Sequence, residues 1–318
     1  MSYAAPRLWA AVLAAVTGSV TVGFMPLMAR HLYADGLSPA SMLFWRYTFA
    51  LLPLFALTAL LRLDFLRALR SGAWRIGAVG ATLGAAQTLC FWQSIETLET
   101  SIAVLLFYTY PALTLALERL IFKRPIRPRA VLCIGLILGG AALVTGPDLG
   151  GAGLDLRGLL WAAPSPVFYA AYLAVTTQLL RGYPPLIGAT WLYLGMGATF
   201  GITALFLGLG VPDSGPGWSL LLFVGLVPGA LTITLFSYSA PRLGPSSYAI
   251  IANFELVTVV AVGVLLLGEA LTPARAVGGA LIVSGIVLHA LARQRVDAPE
   301  ATAPSPYVTE RESVTRTG

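Results

Sequence analysis

Apolar residues fill the chain in ten runs, each close to the ~20 residues a helix needs to cross a bilayer. The runs cover about residues 8–29, 39–61, 74–95, 101–121, 129–146, 158–180, 185–209, 218–238, 246–267 and 274–292. Several open with helix-start signals. Ser38-Pro39 and Thr272-Pro273 each place a hydroxyl at an N-cap and a proline at the first helical position. The pattern predicts an all-α integral membrane protein with ten transmembrane helices. The first run is longer than the apolar core of a typical signal peptide and is read as a span. Between the fifth and sixth runs lies PDLGGAGLDL, within a Gly-rich connection over 147–157. Past Ala292 the chain turns polar and rich in Pro, Thr and Ser, which predicts a disordered tail over 293–318.

The runs repeat. Sliding the sequence by 145 residues places Phe91 on Phe236, Ser94 on Ser239, Gly80 on Gly225, Gly84 on Gly229, Ile137 on Ile282 and Gly140 on Gly285. The two halves are expected at 1–146 and 158–292, five spans each. Five is odd, so the second half enters the membrane from the opposite side to the first. Inverted repeats are a hallmark of secondary transporters, with the solute site near the midplane. Basic residues supply the orientation. With both termini cytoplasmic, fourteen Arg and Lys near the spans fall inside, and only Arg30, Arg157 and Arg275 fall outside. A cell inner or plasma membrane location follows as the expectation.

Composition agrees with the pattern. The chain is 57% hydrophobic and 11% charged, with mean hydropathy +0.81, against about 25% charged in a soluble domain. The net charge of +6 is spread between spans, so no nucleic-acid partner is expected. Cys90 and Cys133 fall inside spans and read as buried free thiols. His31 and His289 sit at span ends without a second ligand at metal-binding spacing. No P-loop is present. Neither enzyme chemistry, a metal nor a cofactor is expected. The expected partners are a small-molecule solute, the lipid bilayer and a coupling proton.

Glu255 is the residue on which function is most open to test. A carboxylate in mid-span is expensive and by default faces a cavity or a partner. Two readings stand beside each other: a proton carrier or counter-charge for an amine, and a structural carboxylate bonded to a neighbouring helix. Tyr110 holds the same place in the first half. Arg46 is the other mid-span charge. It reads as a partner for a solute carboxylate, or as a structural ion or snorkelling side chain. In the sixth span, Pro164 and Pro166 should kink the helix. Beyond them Ser165, Tyr169, Tyr172 and Thr176 share one face. Gln87 in the third span and Thr232 in the eighth are related by the 145-residue offset and put polar groups on matching faces. Tyr108 and Pro111 lie beside Tyr110. Glu96, Glu99, Glu118 and Glu269 lie near span ends and read as solvated or capping groups. Four-apart glycine pairs (Gly80/Gly84, Gly135/Gly139, Gly197/Gly201, Gly225/Gly229) suit close helix packing, within one bundle or between copies, so the oligomeric state stays open.

These passages resemble the EamA-like members of the drug/metabolite transporter superfamily. The likeness lies in SPASMLFWRYTFA (38–50), FELVTVVAVGVLLLGEALT (254–272) and AVGGALIVSGIVL (276–288), and it covers about residues 8–292. Leu256 stands where the family usually has a proline, so the proline kink of the ninth span is missing. Lys123-Arg124 stands where the first repeat often has Gly-Glu. Thr17-Gly18 replaces the more usual Trp-Gly. The resemblance implies a secondary-active exporter of amino acids or related small metabolites. A drug or cationic-compound exporter of the same fold is the alternative, and a membrane-embedded lipid-modifying enzyme is a third reading. The expected solute-binding set is Glu255, Tyr110, Tyr108, Tyr169, Tyr172, Gln87, Thr232, Ser165 and Arg46.

Overall fold

A computed structural model of the chain describes residues 5–95, 97–98, 100–123, 126–145, 155–267 and 271–294. Among these residues the protein is all helix and turn, with no strand. The first half runs α1 (Ala5–Gly23), α2 (Met25–Ala34), α3 (Pro39–Leu60), α4 (Phe65–Ala68), α5 (Trp74–Val79), α6 (Ala85–Ser94), α7 (Thr100–Phe107), α8 (Tyr110–Phe122) and α9 (Pro128–Thr145). The second runs α10 (Leu156–Ala162), α11 (Pro164–Leu179), α12 (Pro185–Leu207), α13 (Gly215–Val224), α14 (Thr232–Leu243), α15 (Pro245–Ala252), α16 (Phe254–Leu267) and α17 (Pro273–Gln294). Nine of the described helical segments are long and apolar enough to cross a membrane. The run at 74–95 is helical as well, as α5, Gly80–Gly84 and α6. Gln87 and Gln93 dilute its apolar character. Glu96, Glu99, Glu269, most of the Gly-rich connection and the tail beyond Gln294 lie outside the described residues.

The helix starts form as their sequences direct. Ser38 Oγ accepts from Ser41 N at 3.2 Å, and Thr272 Oγ1 accepts from Arg275 N at 3.3 Å, each before a proline. Asp155 caps α10 through Arg157 N at 3.0 Å, so the sixth span begins inside the predicted connection. Cys90 and Cys133 are free and buried. Outside, the surface is apolar: Leu205, Phe206, Leu265, Leu60 and Leu120 are all largely exposed, as side chains facing lipid should be.

The first span is broken at Phe24, between α1 and α2, and the fourth and ninth spans are broken at matching places. The fourth stops at Phe107 and resumes at Tyr110, and the ninth stops at Ala252 and resumes at Phe254. At both places the backbone switches to i→i−3 bonds: Thr109 N to Leu106 O (3.1 Å) and Ala112 N to Thr109 O (3.1 Å) in one, Asn253 N to Ile250 O (3.4 Å) and Leu256 N to Asn253 O (3.0 Å) in the other. The breaks fall at Tyr108 and Asn253, which are 145 residues apart. A missing proline at Leu256 therefore does not keep the ninth span straight. The third and eighth spans also match: each carries a π-helical stretch, Gly80–Gly84 and Gly225–Leu231, starting 145 residues apart.

Packing between the halves is reciprocal. α3 lies against Gly225–Leu231, and α12 lies against Gly80–Gly84. α9 and α17 form the closest pair. A Cβ on Gly140 would stand 2.5 Å from Gly278 O and 2.7 Å from Ile282 Cγ1. One on Gly285 would stand 2.9 Å from Cys133 O and 3.1 Å from Ile137 Cγ1. Each contact is the other displaced by 145 residues. The Gly135/Gly139 pair behaves differently: a Cβ on either would meet nothing within 4 Å. Both face outward, and it is Gly140, Gly278 and Gly285 that let the backbones approach.

Gly140→Val is accordingly expected to destabilise the detergent-solubilised protein by roughly 1–3 kcal/mol, the cost of overpacking a filled interface. Gly135→Val should stay within about 0.5 kcal/mol of the parent. Melting curves of the two variants check this, and equal shifts would refute the assignment of the packed face.

Candidate functional site

The two broken spans meet in the interior. Tyr110, the first residue after the first break, is buried and donates its hydroxyl to Ala249 O at 3.1 Å, just before the second break. Asn253, wholly buried in that second break, donates from Nδ2 to Ala249 O at 2.6 Å and to the Tyr110 hydroxyl at 3.3 Å. A freed carbonyl of the ninth span is thus bonded by a side chain from the first half, and the two breaks are joined. Asn253 Oδ1 is buried and meets no donor among the described residues. Leaving such an acceptor unsatisfied costs about 1–3 kcal/mol.

Glu255 follows two residues later, on the first turn of α16. It is half-buried, and among the described residues no donor bonds its carboxylate. The ionisable groups near it are Arg46 and four tyrosines, Tyr108, Tyr110, Tyr169 and Tyr248. The rings form a continuous ladder. Phe91 meets Phe107 at 5.1 Å, Phe107 meets Tyr169 at 5.2 Å, and Tyr110 crosses Tyr169 edge-on at 4.7 Å. Tyr172 stacks between Tyr169 (6.0 Å) and Phe236 (5.8 Å), and Phe236 meets Tyr248 at 5.0 Å. Aromatic faces around a carboxylate favour a cation, which the rings attract through their quadrupoles.

Arg46 enters from α3. Its Nη2 donates to Pro228 O at 3.0 Å in the π-helical stretch of the eighth span, and its guanidinium lies 5.8 Å from the Tyr47 ring centre. Nε is buried and meets no acceptor among the described residues. No ion pair within 4.0 Å joins Arg46 to Glu255. The arginine thus ties the halves together through Pro228 O while keeping a charge in the interior.

The remaining expected residues divide into two kinds of contact. Ser165, buried, donates to Gln87 O at 3.1 Å, which joins the sixth span to the third. Thr232 Oγ1 lies 2.5 Å from Thr21 Oγ1, joining the eighth span to the first. Both contacts are interhelical. Tyr108, Tyr110, Tyr169 and Tyr172 converge on Glu255 and the ladder. Two crevices of about 380 and 300 Å³ open on the outer face. Their walls are mostly apolar and hold none of the nine expected residues.

Two polar residues emerge from the structure beyond the expected set. Asn253 is one. The 145-residue offset from Tyr108 is the signal that marks it. Glu118 is the other: on α8 it is buried, and its carboxylate accepts from Ser246 Oγ and from Ser246 N (3.3 Å) at the start of α15. The capping role expected for it therefore holds, but across the two halves and not on its own helix.

The sequence pattern of the EamA-like transporter family matches the chain twice, over residues 9–146 and 156–291. A protein from Archaeoglobus fulgidus, named only as an uncharacterized transporter, is 27% identical over 195 residues, covering 61% of this chain and 68% of that one. A solved crystal structure superposes with a TM-score of 0.77, covering 91% of this chain and 99% of the other. At 19% identity that likeness speaks for the fold alone.

Replacing Glu118 by Ala strips the start of α15 of its acceptor and leaves Ser246 unpaired. A stability loss of roughly 1–3 kcal/mol is expected, with a smaller loss for Glu118→Gln. Thermal melts of the purified variants check it; an unchanged melt for the alanine variant would show the contact to be dispensable.

Proposed function

The chain belongs to the EamA-like transporter family, and on that premise we propose that it is a secondary-active carrier exporting amino acids or related small metabolites by alternating access. It is a multi-pass membrane protein and a transporter. The finer reading is carried by one observation: a half-buried carboxylate without a described hydrogen bond follows directly on the break of the ninth span, and that break is bonded through Tyr110 to the break of the fourth. Discontinuous helices meeting near mid-membrane are what carriers built of repeats use to hold solute and coupling ion. The two halves, 1–146 and 158–292, are taken as inverted five-helix repeats. The reciprocal packing of α9 with α17 and of α3 and α12 with opposite π-helical stretches supports that reading. The cell inner membrane, with both termini cytoplasmic, is the setting favoured by the distribution of basic residues.

In this reading the solute lies against the ladder of Tyr110, Tyr169 and Tyr172. Glu255 exchanges a proton or an amine as the halves rock. Arg46 sets the field it works in. Tyr108 closes the side next to the first break. Gln87, Ser165 and Thr232 hold the third, sixth and eighth spans in register around the path. A drug or cationic-compound exporter is the second reading, favoured by the aromatic ladder beside a carboxylate. Resistance on expression without amino-acid efflux would select it.

Flux into proteoliposomes of a labelled amino-acid panel, with and without a pH gradient, tests the proposal. Saturable, gradient-sensitive flux is expected. Glu255→Gln should preserve folded yield and reduce the gradient's effect by about 5- to 150-fold, the range of a typical coupling free energy between two ligands. Identical gradient dependence in the variant would reduce Glu255 to a structural part.

A further inference from the structure

The amide of Asn253 is oriented by its own bonds. Nδ2 donates twice, to Ala249 O and to the Tyr110 hydroxyl, and that hydroxyl donates its single hydrogen to Ala249 O. Oδ1 is therefore the group left over, buried and with no donor among the described residues. Buried polar atoms are almost always satisfied, and a native exception asks for an explanation. Two residues along, the Glu255 carboxylate also accepts from no described donor. Both groups belong to one helix break: Asn253 forms it and bonds the Tyr110 hydroxyl, and Glu255 lies on the first turn of the helix that resumes after it. The structure thus places two idle acceptors, one neutral and one anionic, at the same helix break and among aromatic rings.

We infer that Asn253 Oδ1 and the Glu255 carboxylate together receive the N–H groups of a protonated primary amine. The inference rests on the transport reading above and names the chemical group on the solute that the site recognises. Each acceptor contributes something different. A carboxylate attracts any cation, and so do the faces of Tyr169 and Tyr248. A carbonyl oxygen rewards only a cation that carries hydrogen to donate. Asn253 is then the specificity-determining residue, separating primary from quaternary ammonium, and Glu255 supplies attraction common to both. In this conformation Oδ1 is shielded. The break at Asn253, where i→i−3 bonds replace the α ladder, is the point at which α15 and α16 turn against each other and bring the amide to the solute.

A matched pair of cations tests this on the full-length purified chain: 2-phenylethylammonium and its N,N,N-trimethyl derivative, titrated calorimetrically. Ring and charge are shared, and only the N–H donors differ. The primary amine is expected to bind about tenfold more tightly or better, as for a hydrogen bond with one charged partner. Asn253→Ala should bring the ratio close to one by weakening the primary amine more than the trimethyl compound. Glu255→Gln should weaken both. Equal affinities in the parent chain overturn the inference, and that comparison needs no variant to fold. A ratio that survives Asn253→Ala overturns it as well. If neither cation binds but the same preparation moves an anionic or neutral solute in vesicles, the amine site falls and the carrier reading stands.

Discussion

Hydrocarbon offers no hydrogen bonds, so a helix in a bilayer that breaks must satisfy its freed backbone groups from within the protein. The rest of this molecule is arranged around that constraint. The breaks of the fourth and ninth spans are turned inward, where Ala249 O accepts from both Asn253 and Tyr110. The π-helical stretch of the eighth span is met in the same way: Arg46 donates to Pro228 O. The π-helical stretch of the third span is met likewise, by Thr199 Oγ1 donating to Ala81 O at 2.8 Å from the second half. The halves are therefore joined by polar contacts in the interior, and their lipid-facing surfaces are left to apolar side chains.

Such joining has a mechanical consequence. Close packing of α9 and α17 runs glycine against backbone carbonyl, with little side chain between. Interfaces of this kind are stiff, because van der Waals contact falls off steeply with separation. The centre is different. There the contacts are single hydrogen bonds and stacked rings, which can be exchanged for contacts with a solute at little net cost. A stiff rim and an exchangeable centre suit a carrier whose halves rock around a fixed site.

Much of this was legible in the sequence, and the exceptions share a cause. The ten helical runs, the Ser38 and Thr272 caps and the free thiols depend on local composition, and local composition predicts them. Glu255 and Tyr110 were legible through the repeat. The breaks were not read, because Asn253 is one polar residue in an apolar run, and the nearest family landmark, a proline, is replaced by Leu256. Had Tyr108 been followed across the same offset, Asn253 would have been found. Gly135/Gly139 was indistinguishable by spacing from the truly packed glycines, since which face of a helix meets a neighbour is decided by the neighbour. The same holds for Glu118, whose partner Ser246 lies 128 residues away.

Arg46 and Glu255 are the pair whose arrangement matters most for transport. A buried ion pair in direct contact would be locked, because separating it leaves two uncompensated charges in low dielectric. Here the charges act on each other without touching. The arginine is held by Pro228 O and the Tyr47 ring, so its position does not depend on the state of the carboxylate. In the proposed role, Glu255 could then gain or lose a proton, or exchange one cation for another, without releasing the bond from Arg46 to Pro228 O. A direct salt bridge would make every such exchange a structural event.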